Sequence, residues 1–149
     1  MRTIHVIISS LLFFSMVTGC GEDEPLTPPD DHVEPEGMAL FTGGTRTASI
    51  FQGIPTDTLH AFVNVASDLY QVRFLDEDEE LFELHDDGKT FGWEIADPSM
   101  VEVLQDAGRE GTFEFRLRGL ATGTTTVQFV ILHAGHADYR SGAWPLRVH

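Results

Sequence analysis

The stretch TFEFRLRGLATGTTTVQFVILH, residues 112–133, decides the fold. Its first half alternates. Phe113, Phe115 and Leu117 fall on one side, and Thr112, Glu114, Arg116 and Arg118 on the other. A period of two is that of a strand with one buried face. Gly119 to Gly123 breaks the alternation as a turn. The second half, Thr124–His133, is rich in β-branched residues and apolar on both faces: Val127, Phe129 and Ile131 oppose Val130 and Leu132. Burial on both faces marks a central strand.

The same alternation recurs on either side. Met38–Thr42 and Arg46–Phe51 are set to pair across Gly43-Gly44, a hairpin signal. Leu59, Ala61, Val63 and Val65 share one face of the next predicted strand. Tyr70, Val72 and Phe74 alternate with Gln71, Arg73 and Leu75. After the acidic loop Asp76 to Gly88, Phe91, Trp93 and Ile95 alternate again up to a turn at Asp97-Pro98-Ser99. Val101 and Val103 then oppose Glu102, and Trp144, Leu146 and Val148 form a last strand. No window carries a helical apolar stripe; residues 59–75 come nearest, but their β-branched and aromatic content favours strands. About seven to nine short antiparallel strands, with turns every 8–12 residues, predict an all-β sandwich. A closed barrel is the alternative.

Two runs resemble bacterial immunoglobulin-like domains. Trp93 to Val103 resembles their W-x-x-x-D-P-S-x-V-x-V run, and Gly119 to Val127 their G-x-x-x-G-T-T-x-V strand start. The resemblance implies an immunoglobulin-like sandwich over residues 37–149. Trp93 would then lie between the sheets, Asp97-Pro98 would turn the chain, and Gly123 would open the buried strand. Such sandwiches host many roles, so the resemblance speaks to fold.

Composition narrows the function classes. The chain has 149 residues, with 24 acidic against 9 Lys plus Arg, a formal charge of −15. Such a chain repels nucleic-acid phosphates and has no basic stripe to release counterions. The single cysteine is Cys20. Before it, Ile4 to Val17 is an apolar stretch behind Arg2, too short to span a bilayer and suited to an export signal. Val17-Thr18-Gly19-Cys20 resembles the lipobox of bacterial lipoproteins. That resemblance implies diacylglyceryl transfer to the Cys20 thiol, cleavage after Gly19 and N-acylation of the new terminus. Membrane lipid is then the first partner. Two or three chains anchor stably where one does not. Gly21, in place of Asp, implies an outer-membrane address if the organism is diderm.

Removing the signal, residues 1–19, leaves 130 residues, one domain with a tether. Residues 20–36 form the tether, with seven acids, four prolines and no basic residue in 21–36. Fixed φ and like-charge repulsion make it an extended spacer.

Two loops offer ligand chemistry. His133, His136 and Asp138 supply nitrogen and oxygen donors of the kind that bind Zn²⁺ or Cu²⁺, with Gly135 allowing a bend and His60 or His85 as further donors. The plainer and favoured reading is a polar hairpin loop. Asp76, Asp78 and Glu80, with Asp86 and Asp87, supply hard oxygens of the kind that bind Ca²⁺. The EF-hand spacing is absent, and a solvated loop that blocks sheet-edge pairing is the favoured reading. Ser141 with nearby His and Asp lacks a nucleophile elbow. There is no phosphate-cradling glycine loop. The expectation is a monomeric, non-enzymatic, lipid-anchored envelope lipoprotein without a required cofactor. Its binding module would engage an envelope protein or a glycan; a metal-binding lipoprotein is the alternative.

Overall fold

A computed structural model describes residues 34–84 and 88–149. All regular structure among them is strand. The elements are β1 (Gly37–Thr42), β2 (Thr45–Phe51), β3 (Ile54–Pro55), β4 (Leu59–Ala61), β5 (Tyr70–Leu75) and β6 (Leu81–Phe82). They continue with β7 (Lys89–Ile95), β8 (Val101–Leu104), β9 (Glu114–Gly119), β10 (Gly123–His133) and β11 (His136–Val148).

One sheet runs β3-β2-β1-β5-β9-β8, with β6 also paired to β5; the other runs β4-β11-β10-β7. Within the first, β1-β5-β9-β8 keeps the order of the four-stranded immunoglobulin sheet. In the second, β7-β10-β11 keeps the order of its three-stranded partner. The β2–β3 hairpin widens the first sheet. The expected all-β immunoglobulin-like sandwich is therefore present. It has eleven strands among the described residues rather than seven to nine, and it is not wholly antiparallel: β4 lies parallel to β11.

Period-two patterning puts the core between the sheets. Phe115 of β9 and Phe129 of β10 meet across the interior at 4.7 Å between ring centroids. Phe91 stacks on both. Met38, Leu40, Phe74, Leu117, Ile131 and Leu146 fill the space around them. The tryptophan at the centre is Trp144, fully buried, whereas Trp93 is only partly buried. Position explains the exchange. Trp93 stands on β7, the edge of its sheet, while β11 is flanked by β4 and β10.

Turn chemistry ends the strands. Asp97 Oδ1 accepts the Ser99 N–H at 3.0 Å and its hydroxyl at 2.6 Å, which holds the Asp97 carboxyl below the usual range. The strand predicted through Val65 stops at Ala61 instead. Asn64 adopts φ 61°, and the Val65 N–H donates to the Phe62 carbonyl at 3.1 Å. The chain must cross there from one sheet to the other, so continuous pairing is impossible. Gly119 accommodates the crossing. A Cβ on it would collide with Val148 Cγ1 and sit 2.8 Å from the Phe62 backbone.

Candidate functional site

The ladder registers give the sandwich two poles. Glu36 lies at one. Its N–H donates to the Leu75 carbonyl, its own carbonyl accepts from Gln52, and its carboxylate acts on Tyr139 of β11. That pole also carries the acidic loop and the β10–β11 hairpin tip. The opposite pole carries Gly119, Gly123, His149 and the Phe62–Val65 turn. The described chain therefore enters the domain at the first pole. Cys20, the expected lipobox and signal, and most of the expected tether lie outside the described residues, as do His85, Asp86 and Asp87.

The segment His133–Asp138 is the tip of the long hairpin. His133 pairs directly with His136, and Ala134 and Gly135 turn with φ of 50° and 83°, the two positive angles of a type I′ turn. His133 Nδ1 and Asp138 Oδ2 approach to 3.4 Å on half-exposed side chains. At the acidic loop, Asp76 Oδ1 accepts the N–H groups of Asp78 and Glu80 at 3.0 and 2.8 Å, so the carboxylate shapes its own turn. Among the described residues no three His, Cys, Asp or Glu side chains gather as a metal-holding group. Ser141 is 1% exposed. Its hydroxyl accepts the Phe129 N–H at 3.0 Å and donates to the Gly142 carbonyl at 2.8 Å. There the β10–β11 register skips, with Phe129 facing Ser141 and Gly142 together. The hydroxyl fills the ladder bond that the bulge removes.

At the far pole, Phe62 and Val65 are 55% and 56% exposed, and Leu120 is 41% exposed. The turn that carries the first two is pinned. Gly119 N–H donates to the Phe62 carbonyl at 3.1 Å, and Asn64 N–H donates to the Gly119 carbonyl at 2.9 Å. The His149 ring stacks on Phe62 at 5.3 Å. His149 Nε2 and His60 Nδ1 lie 2.8 Å apart, one nitrogen donating and the other accepting.

A cleft of about 370 Å³ opens on the first sheet. Its cause is a change of partner. β5 pairs with β9 at Tyr70 and Gln71, then with β6 at Phe74 and Leu75. Phe74, Phe82 and Phe113 line the gap, with Gln71, Arg109 and Glu114 among its polar neighbours. Arg109 and Glu114 form an ion pair at 2.7 Å, and Gln71 Nε2 donates to Glu114 Oε1 at 3.2 Å.

No protein-family model and no curated protein matches the chain. Among solved structures, it is similar to domains 4 and 5 of the S-layer protein SbsC. The identity is 14% and the TM-score 0.42, over 68% of this chain and 50% of that one. The chain thus spans about half the length of that structure.

Sequence reasoning missed both the cleft and the far pole. Gln71 stands 43 residues before Glu114, and only the β5–β9 register brings it beside the Arg109–Glu114 pair. Phe62 and Val65 read as strand residues until the crossing turned them outward. The exposed Leu120 within a Gly-bounded turn was the one local signal.

Proposed function

We propose that this protein is a lipid-anchored envelope lipoprotein whose immunoglobulin-like domain is a non-catalytic binding module. In this reading its far pole engages an envelope protein. The observation that carries the proposal is the exposure of Phe62 and Val65 on a turn pinned by backbone hydrogen bonds, at the pole opposite Glu36. Two large apolar side chains held outward in fixed positions lose little conformational entropy when covered. Aromatic anchors of this kind supply much of the energy of protein contacts. A tether of residues 20–36, acylated at Cys20, would hold this module at the membrane. The lipobox resemblance supports export and a membrane address, with the outer membrane favoured in a diderm cell.

The test is a photo-crosslinking amino acid placed at Phe62, at Val65 or at Ile54, which is exposed at the Glu36 pole. The full chain is expressed in its native host. A discrete adduct with an envelope protein is expected from positions 62 and 65 and not from 54. Labelled palmitate should enter the protein, and Cys20→Ser should abolish the label. Adducts independent of position, or none, would remove the far-pole reading; unchanged labelling of Cys20→Ser would remove the anchor.

A further inference from the structure

The cleft beside β5 lies apart from the far pole, and its chemistry is different. We propose that it binds a neutral, polyhydroxylated ligand: one or two pyranose rings of an envelope glycan.

Charge selects against ionic ligands. The lining holds Arg73 and Arg109 against Glu83 and Glu114, two charges of each sign. The arginines disfavour a cation. An anion meets two carboxylates, on a chain whose formal charge is −15. A neutral ligand has no such penalty and finds donors and acceptors side by side. Glu114 Oε2 is fully buried, and although Arg109 Nη2 stands 2.7 Å away, no donor is aligned on it. The Arg109 side chain that covers it is 56% exposed, so the outer N–H groups of its guanidinium offer donors to a ligand hydroxyl. Gln71 and Thr112 offer further amide and hydroxyl groups along the same wall.

The apolar part of the cleft suits the other face of a sugar. Phe82 and Phe113 are half-buried, and both rings pack against Phe74, at 6.3 and 5.3 Å between centroids. The partly positive C–H groups of a pyranose face are attracted to the negative face of an aromatic ring. The volume falls at the small end of the usual ligand-pocket range of about 300–1,000 Å³, which fits one or two rings.

The rim is braced before any ligand arrives. Gln105 Nε2 donates to the carbonyls of Thr112 and Glu114 at 2.7 and 2.9 Å, and its Oε1 accepts the Gly111 N–H at 2.8 Å. The Thr112 hydroxyl donates to the Arg109 carbonyl at 2.7 Å. One side chain thus fixes three backbone groups of the loop that carries Arg109. A rim ordered in advance lowers the entropic cost of binding.

The test uses the full-length acylated protein in a detergent without a sugar headgroup. It is titrated calorimetrically with cellotriose, maltotriose and tri-N-acetylchitotriose, and with trigalacturonate as the acidic counterpart. At least one neutral trisaccharide should bind saturably, with an affinity that does not change with added salt, because no net charge is engaged. Arg109→Ala and Gln71→Ala, both at exposed side chains, should each weaken it about tenfold, the usual scale for a lost polar contact to a charged network. Phe62→Ser should leave it unchanged, which separates this site from the far pole. Three results would overturn the proposal: no neutral trisaccharide binding below about 10 mM, the range of a negligible affinity; tighter, salt-sensitive binding of trigalacturonate; or wild-type affinity in both cleft variants.

Discussion

Ser141 shows how a residue with catalytic potential is used by the backbone. Its hydroxyl has two partners, the Phe129 N–H and the Gly142 carbonyl, and it has almost no exposure. Nothing of it remains for a nucleophilic role. Gly142 completes the bulge with φ 83°, and a Cβ there would lie 2.8 Å from the Gly53 Cα. Replacing Ser141 by Ala leaves the buried Phe129 N–H without an acceptor. We expect Ser141→Ala to destabilise the domain by about 1–3 kcal/mol in urea unfolding, the cost of an orphaned buried donor. Ser141→Thr, which keeps the hydroxyl, should lose less. Equal stability of Ser141→Ala and the parent would mean that the bulge closes in another way. The sequence offered Ser141 only as a nominal nucleophile, because a bulge is a matter of register between strands and leaves no mark on one strand alone.

At the scale of elements, alternation was the readable signal wherever a strand kept one register. β9, β10 and the β1–β2 hairpin lie close to where their period-two patterns put them. β11 was read only from Trp144 because register shifts at Ser141–Gly142 and at Asp138 each displace its alternation by one residue, hiding the half from His136 onward. The His133–Asp138 segment was legible as a hairpin tip, and the structure brings His133 and Asp138 together within it. The β5–β9–β6 gap was not legible, since it arises where pairing changes partners. Its rim depends on one element, the loop from Gln105 to Glu114. Gln105→Ala removes three hydrogen bonds to backbone groups there. Amide exchange at Gly111 should speed up well beyond the change in global stability, which we expect to fall by about 1–2 kcal/mol. Retained protection of Gly111 would show that the loop is ordered by its own turns, and the preformed rim would lose its basis.

For the whole molecule, the two tyrosines tie ionisation to packing. Burial pushes the Tyr139 phenol well above its ordinary range, and the Glu36 carboxylate pushes it further. Burial, then Asp68, raises Tyr70. Both rings face the aromatic core, Tyr139 against Phe74 at 6.1 Å and Tyr70 against Phe115 at 5.2 Å. In the unfolded chain each phenol titrates near pH 10. Below that pH both states hold the proton, and the contribution of the buried neutral rings is complete. Above it the unfolded chain releases protons that the folded chain keeps, so stability falls as pH rises through the folded values. The chain has two tyrosines and a single lysine, Lys89, so few other side chains change charge in this window. Urea midpoints measured from about pH 8 to pH 11 should therefore decline steeply above about pH 10. Tyr139→Phe should flatten most of that decline and Tyr70→Phe part of it, with the larger effect at the more strongly shifted group. A decline of the same slope in the double variant would place the alkaline sensitivity elsewhere. It would also break the link between Glu36 and the core at that pole.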